Sequence, residues 1–238
     1  MKAIQRTMPD STGEMTVRVP VGHAILEGDL AIPPRAKSII LFAHGSGSSR
    51  LSSRNKYVAR YLQREGLATL LFDLLTSEEE QVDRYNARLR FDISLLASRL
   101  SGATAWVKAQ NAMAKMTIGY FGASTGAAAA LIAENDHQDV VKAIVSRGGR
   151  PDLAGRGLSV VSAPTLFIVG GEDYEVITLN EQAMTQVKAI KKMTIVPGAT
   201  HLFGEPGALE AVADLASFWF KKYLSRGAFG ASIINHPD

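Results

Sequence analysis

Apolar residues in this chain fall into short unbroken runs that alternate with stretches of helical period. The runs are Ser38–Ala43, Ala68–Phe72, Met116–Phe121, Ala143–Ser146, Thr165–Val169 and Met193–Val196. Near-continuous apolarity over four to six residues suits strands buried on both faces, as in parallel sheets. Between them, Leu89, Ile93, Leu96, Leu100, Ala103 and Val107 are spaced by fours and threes, which predicts one helix from about Tyr85 to Ala109. Further helices are predicted over Asn55–Arg64, with Gly66 as its stop, from Thr125 through Ile132, after Leu179, and through Val212–Tyr223. Before the first run, Met15–Pro20 and His23–Ile32 alternate apolar and polar residues around Val21-Gly22, the pattern of an antiparallel hairpin at a sheet edge.

Strand–helix alternation along the whole chain implies a three-layer α/β sandwich with right-handed crossovers. The 238 residues show no repeat, low-complexity tract or linker, so one domain spanning 1–238 is the simplest expectation, with the tail after Ser225 an appendage.

Charge and composition narrow the function. The net charge is +3, and the basic residues are scattered, with pairs such as Lys191-Lys192 at most, so no phosphate-tracking stripe points to nucleic acid. The absence of cysteine excludes disulfides, thiol catalysis and thiolate zinc sites. No H-E-x-x-H or phosphate-loop pattern occurs. The first sixteen residues hold no apolar core for a signal peptide, and no run of about 18 apolar residues suggests a span. The expectation is a soluble cytoplasmic protein without membrane partners; homo-oligomerisation is left open.

The strand ending at Phe121 runs into Gly122-Ala123-Ser124-Thr125-Gly126 and then into a small-residue helix. A G-x-S-x-G pattern alone is weak, but between a buried strand and a helix it has the form of a nucleophile elbow, a sharp turn that exposes the serine. A serine hydroxyl needs a base, and the base needs a carboxylate to hold its tautomer. Elbow enzymes supply them in the order Ser, acid, His. After Ser124 the run Thr165–Val169 ends in Gly170-Gly171-Glu172-Asp173, and Met193–Val196 ends in Pro197-Gly198-Ala199-Thr200-His201. Both lie just past the carboxyl ends of strands, where open α/β sheets bind ligands.

Asp173 is the expected acid, with Glu172, Glu175 and Asp152 as alternatives, and His201 is the expected base. The other histidines have simpler roles: His44 hydrogen-bonding beneath a loop, and His23, His137 and His236 solvated. An oxyanion would take the Thr125 amide and an amide of the loop His44-Gly45-Ser46-Gly47, placed at Ser46 with Gly47 next to the substrate. Asp73 reads as a loop organiser, and Phe203, Trp106 and Trp219 as packing. Arg147 and Arg150 could fork onto a substrate carboxylate, or could simply be solvated or paired with Asp152.

The segments LFAHGSGSS, GYFGASTG, FIVGGEDYEV and VPGATHLF, in that order, resemble the dienelactone hydrolase family of the α/β-hydrolase fold from about Ser38 to Leu224. The resemblance implies an eight-stranded, mostly parallel sheet, no large lid domain, no cofactor, and a triad on Ser124, Asp173 and His201. The family's namesake enzymes carry a cysteine nucleophile where this chain has serine. The expected activity is therefore hydrolysis of small carboxylic esters rather than of dienelactones in particular. Two alternatives are a hydrolase-fold binding protein without turnover and a dinucleotide-binding oxidoreductase. The second is poorly supported, since Arg50 stands where the third fingerprint glycine would be.

Overall fold

The computed structural model describes residues 13–224; the tail after Ser225 and His236 lie outside them. Eight strands, β1 (Glu14–Val21), β2 (Ala24–Ala31), β3 (Ser38–Ala43), β4 (Ala68–Phe72), β5 (Thr117–Ala123), β6 (Val141–Arg147), β7 (Thr165–Gly170) and β8 (Lys191–Val196), form one sheet in the order β1-β2-β4-β3-β5-β6-β7-β8. β2 runs antiparallel to both β1 and β4, and the pairs from β4 through β3 to β8 are parallel. The helices are α1 (Ser53–Arg64), α2 (Ser77–Asn86), α3 (Ile93–Ala109), α4 (Thr125–Glu134), α5 (Tyr174–Gln186) and α6 (Ala208–Leu224), with 3-10 segments at Leu89–Phe91 and Pro151–Ser159. This is the three-layer sandwich with an added hairpin, and no separate lid domain stands among the described residues.

The period-2 geometry of strands makes each central strand serve two cores. Ile39, Leu41 and Ala43 of β3 pack on one face with Leu96, Leu100 and Val107 of α3 and Ala128–Ala130 of α4. Ile40 and Phe42 pack on the other with Val58 and Leu62 of α1 and Val212, Ala216 and Phe220 of α6. Burial on both faces is why these strands read as unbroken apolar runs.

Three elements depart from the sequence reading. The helix expected from Tyr85 to Ala109 is interrupted: Ala87 takes a left-handed conformation (φ 53°), and α3 starts only at Ile93. Two side chains impose the break. Asp83 accepts the amides of Leu89 and Arg90 (2.6 and 3.2 Å), and Asp92 caps α3 through the Leu95 amide (2.9 Å). The segment before it is also a helix, closed by a capping box in which the Thr76 hydroxyl accepts the Glu79 amide and the Glu79 carboxylate accepts the Thr76 amide. Finally, α5 begins at Tyr174 rather than after Leu179, the Asp173 carbonyl already accepting the Ile177 amide (2.9 Å).

Candidate active site

The elbow is built by steric exclusion. A β-carbon on Gly126 would stand 2.1 Å from the Ala43 carbonyl oxygen, and one on Gly122 would stand 2.5 Å from the Ala127 Cα. Both obstacles are backbone and cannot rotate away. With the chain pinned on either side, Ser124 is held at φ 51°, ψ −122°, a region non-glycine residues seldom occupy and that costs about 1–3 kcal/mol. Its amide donates to the Arg147 carbonyl of β6 (3.3 Å), and its own carbonyl accepts from the amides of Ala127 and Arg150 (both 3.1 Å). The turn is thus braced by β6 and α4, and Ser124 precedes the first residue of α4.

Asp173 and His201 sit on the loops after β7 and β8, and the two loops are stitched together. The Glu172 amide donates to the Ala199 carbonyl (3.0 Å) and the Gly171 amide to the Val196 carbonyl (2.8 Å). Glu205 accepts the Thr200 amide and hydroxyl (3.1 and 2.6 Å), fixing the residue before the histidine. His201 Nδ1 then lies 2.6 Å from Asp173 Oδ2. An ionised carboxylate only accepts, so Nδ1 carries the hydrogen and Nε2 presents a lone pair.

The His201 ring lies against Gly148: its Cε1 is 3.6 Å from where a Gly148 β-carbon would stand. Gly148 directly follows Arg147, the residue hydrogen-bonded to the Ser124 backbone, so serine and imidazole flank the same dipeptide at the carboxyl edge of the sheet. No hydrogen bond joins Ser124 Oγ to the His201 ring here. Such contacts are often loose without substrate and tighten when it binds.

The alternative acids are engaged elsewhere. Asp152 accepts from Arg150 Nε and Nη2 (2.9 and 2.8 Å), and Glu172 accepts the Tyr174 hydroxyl (2.6 Å); Glu175 is exposed. Asp73 accepts the Arg50 amide and side chain (both 2.8 Å), organising the loop after β3. His44 lies beneath that loop, its Nε2 accepting the Leu74 amide (3.1 Å) and its Nδ1 facing the Gly45 carbonyl (3.0 Å). Burial pushes its pKa below the ordinary imidazole value. It is a neutral strut. His23 is exposed, and His137 Nε2 pairs with Ser101 Oγ at 2.7 Å.

The loop after β3 differs from expectation in one respect. The Ser46 amide does not face open space: it donates to Thr125 Oγ1 at 2.9 Å. The contact draws the two expected donor residues together, but it occupies the second amide with a hydroxyl. The cause is the threonine side chain at the position after the serine, a feature the backbone-only reading of the elbow ignored. Of the two arginines at the carboxyl end of β6 and just beyond it, Arg150 is paired with Asp152, whereas Arg147 is buried. Gly47, with φ 68°, lies at the mouth of the loop. A pocket of about 40 Å³ runs beneath it, lined by His44, Gly45, Ser46, Leu74, Arg90 and Leu96 among others.

Gly148 and Glu205 were not singled out from sequence. The positive φ of Gly148 (49°) is legible only as a glycine after a strand, and Glu205 four residues past His201 carries no pattern of its own. Among the described residues no group of acidic and histidine side chains is arranged to hold a metal, and no helix is long and apolar enough to cross a membrane.

Comparison with known proteins agrees with this architecture. The crystal structure of a dienelactone hydrolase from Anabaena variabilis is 58% identical, with a TM-score of 0.87 over 89% of this chain and 98% of that one. Est1E from Butyrivibrio proteoclasticus shares the fold at 15% identity and a TM-score of 0.72, over 87% of this chain and 98% of that one. A Mycobacterium tuberculosis protein named "Putative phosphoribosyl transferase" is 55% identical over 208 residues, 87% of this chain and 46% of the relative. The chain thus spans about half the length of the curated relatives it matches. The model of the dienelactone hydrolase family matches residues 26–222. With that match over most of the described sheet and both loops that carry Asp173 and His201, the chain belongs to the dienelactone hydrolase family.

Proposed function

We propose that the protein is a serine hydrolase that cleaves small carboxylic esters through an acyl-enzyme on Ser124, with His201 as base and Asp173 as its orienting acid. The observation that carries this reading is the 2.6 Å contact between Asp173 Oδ2 and His201 Nδ1, which leaves Nε2 as the basic nitrogen. His201 Nε2 accepts the hydroxyl proton as Ser124 Oγ bonds to the ester carbon. The tetrahedral oxyanion is held by the Thr125 amide at the head of α4, where the helix dipole favours negative charge, and by the Ser46 amide once the Thr125 hydroxyl turns aside. Collapse expels the alcohol, which leaves with the proton from His201. Water, deprotonated by the same nitrogen, then attacks the acyl carbon and releases the acid and Ser124.

The reaction so written uses no cofactor, and with no separate lid domain among the described residues compact substrates are favoured over bulky lipids. The transferase name of the half-matched relatives suggests a second reading, in which the chain transfers a phosphoribosyl group; the matched portion is the hydrolase-like one, which favours the first. Incubation with a fluorophosphonate probe separates them. Labelling at Ser124, with nitrophenyl acetate hydrolysis lost in Ser124→Ala, is expected. A folded protein that neither labels nor cleaves esters, yet forms a nucleotide from phosphoribosyl diphosphate and a base, overturns it.

A further inference from the structure

Among the described residues, several other arginines that are buried or partly buried are neutralised by carboxylates. Arg50 meets Glu27, Asp29 and Asp73, Arg90 meets Asp83, and Arg99 meets Glu79. Arg147 does not follow this rule. It is 7% exposed, its Nε and Nη1 have no hydrogen-bond partner, and its guanidinium lies 5.9 Å from the centre of the Phe203 ring. Burial, and then the charge of Arg54, pull its pKa down to about 10. A buried cation facing a second cation is costly unless an anion completes it.

Arg54 extends the same feature. It stands in the first turn of α1, and its Nε is also buried without a partner. That turn holds no acidic residue, and its end of the helix dipole is positive. Arg54 lines an open cleft of about 290 Å³ with Gly47, Ser48, Ser49, Ser52 and Ser53. Glu80 on the same cleft is within 3.9 Å of Arg84. Arg147 is tied to the elbow through its backbone, its carbonyl accepting the Ser124 amide, and Arg54 shares its cleft with Gly47, the residue after Ser46.

We infer that Arg147 and Arg54 receive a doubly charged oxyanion, a phosphoryl group carried by the ester on which Ser124 acts. The inference rests on the reading of Ser124 as the nucleophile. A carboxylate would balance one guanidinium and leave the other unmatched, whereas a phosphate monoester brings nearly two charges and three acceptor oxygens to two planar forks.

Binding is tested apart from catalysis, by melting the Ser124→Ala protein in inorganic phosphate and in acetate at equal ionic strength. Phosphate should raise Tm more than acetate does. Adding Arg54→Gln or Arg147→Met should weaken phosphate binding by about tenfold or more, the size expected for a charge-assisted contact. Arg54 is half-buried on a helix, so its variant decides if Arg147→Met does not fold. Equal shifts with the two anions, or a phosphate shift unchanged in the variants, overturn the proposal. With the active protein, two nitrophenyl esters of equal chain length, one ending in phosphate and one neutral, should differ by about tenfold in KM in favour of phosphate, a preference lost in Arg54→Gln. Phosphate binding with neither ester cleaved would remove the nucleophile and keep the anion site. Cleavage of the neutral ester without phosphate binding would do the reverse.

Discussion

Asp173 is the N-cap residue of α5, yet its side chain caps no helix amide and instead stands 2.6 Å from His201 Nδ1. An aspartate at that position would ordinarily stabilise its own helix by about 1 kcal/mol. Here its oxygen is committed to a histidine 28 residues away. The local capping preference gives way to a long-range contact, as the proposed role of Asp173 requires.

Asp173→Asn should preserve the fold and lower kcat on nitrophenyl acetate by roughly 10³–10⁴. The amide can donate to Nδ1, which would move the ring hydrogen to Nε2 and remove the base. Steady-state kinetics check this. A kcat within tenfold of the parent would mean that another acid orients His201.

Gly126→Ala should be far more damaging to stability than an ordinary glycine substitution. The new methyl would overlap the Ala43 and His44 carbonyl oxygens at 2.1 and 2.5 Å, so β3 and α4 would have to separate. Overpacking usually costs about 1–3 kcal/mol, and a backbone obstacle places this site at or above the top of that range. Urea denaturation measures it. Gly66→Ala is the control, because its β-carbon meets nothing within 4 Å and only its positive φ (84°) is strained.

What could be read from the sequence divides along a physical line. Strands such as Ser38–Ala43 and Thr165–Gly170 are buried on both faces, so composition alone reveals them. The elbow is legible because its glycines are sterically required, and the proximity of Asp173 to His201 because both follow the carboxyl ends of neighbouring strands. The long helix was misread because Leu89 stays in phase with α3 while Asp83 and Asp92, whose side chains take the intervening amides, are unremarkable in a periodic pattern. Thr76-x-x-Glu79 did carry a capping-box signal. The unpaired state of Arg147 could not be foreseen, since it depends on which side chains from α1 and the loop after β8 surround it.

The Thr125 hydroxyl offers a test of the oxyanion loop. In Thr125→Ala the Ser46 amide loses its 2.9 Å acceptor and is free for an oxyanion. Stability should fall by about 0.5–1.5 kcal/mol, the usual net worth of one hydrogen bond. The kcat should hold or rise, because substrate no longer has to displace the hydroxyl. A fall of 10²-fold or more, the loss expected when an oxyanion donor goes, would instead make the hydroxyl itself part of the hole.

His44 should make the fold sensitive to mild acid. Its Nε2 accepts the Leu74 amide, so a proton there would set two donors against each other inside the protein. Burial accordingly lowers its pKa in the folded state. Below the unfolded value of about 6.5 the unfolded chain binds a proton that the native one refuses, so stability is complete above that pH and declines as pH falls below it, by up to about 1.4 kcal/mol per unit. Asp83 acts in a separate window. Burial would raise its carboxyl, but hydrogen bonds from the Arg90 side chain and the Arg90 and Leu89 amides outweigh this and hold it below the usual carboxylate range. Its contribution is therefore lost only as pH falls below about 4. Urea midpoints from pH 7.5 down to 5 should decline in the parent protein and flatten in His44→Gln, whose side chain cannot take up the proton. An equal slope in both would assign the acid sensitivity to other groups.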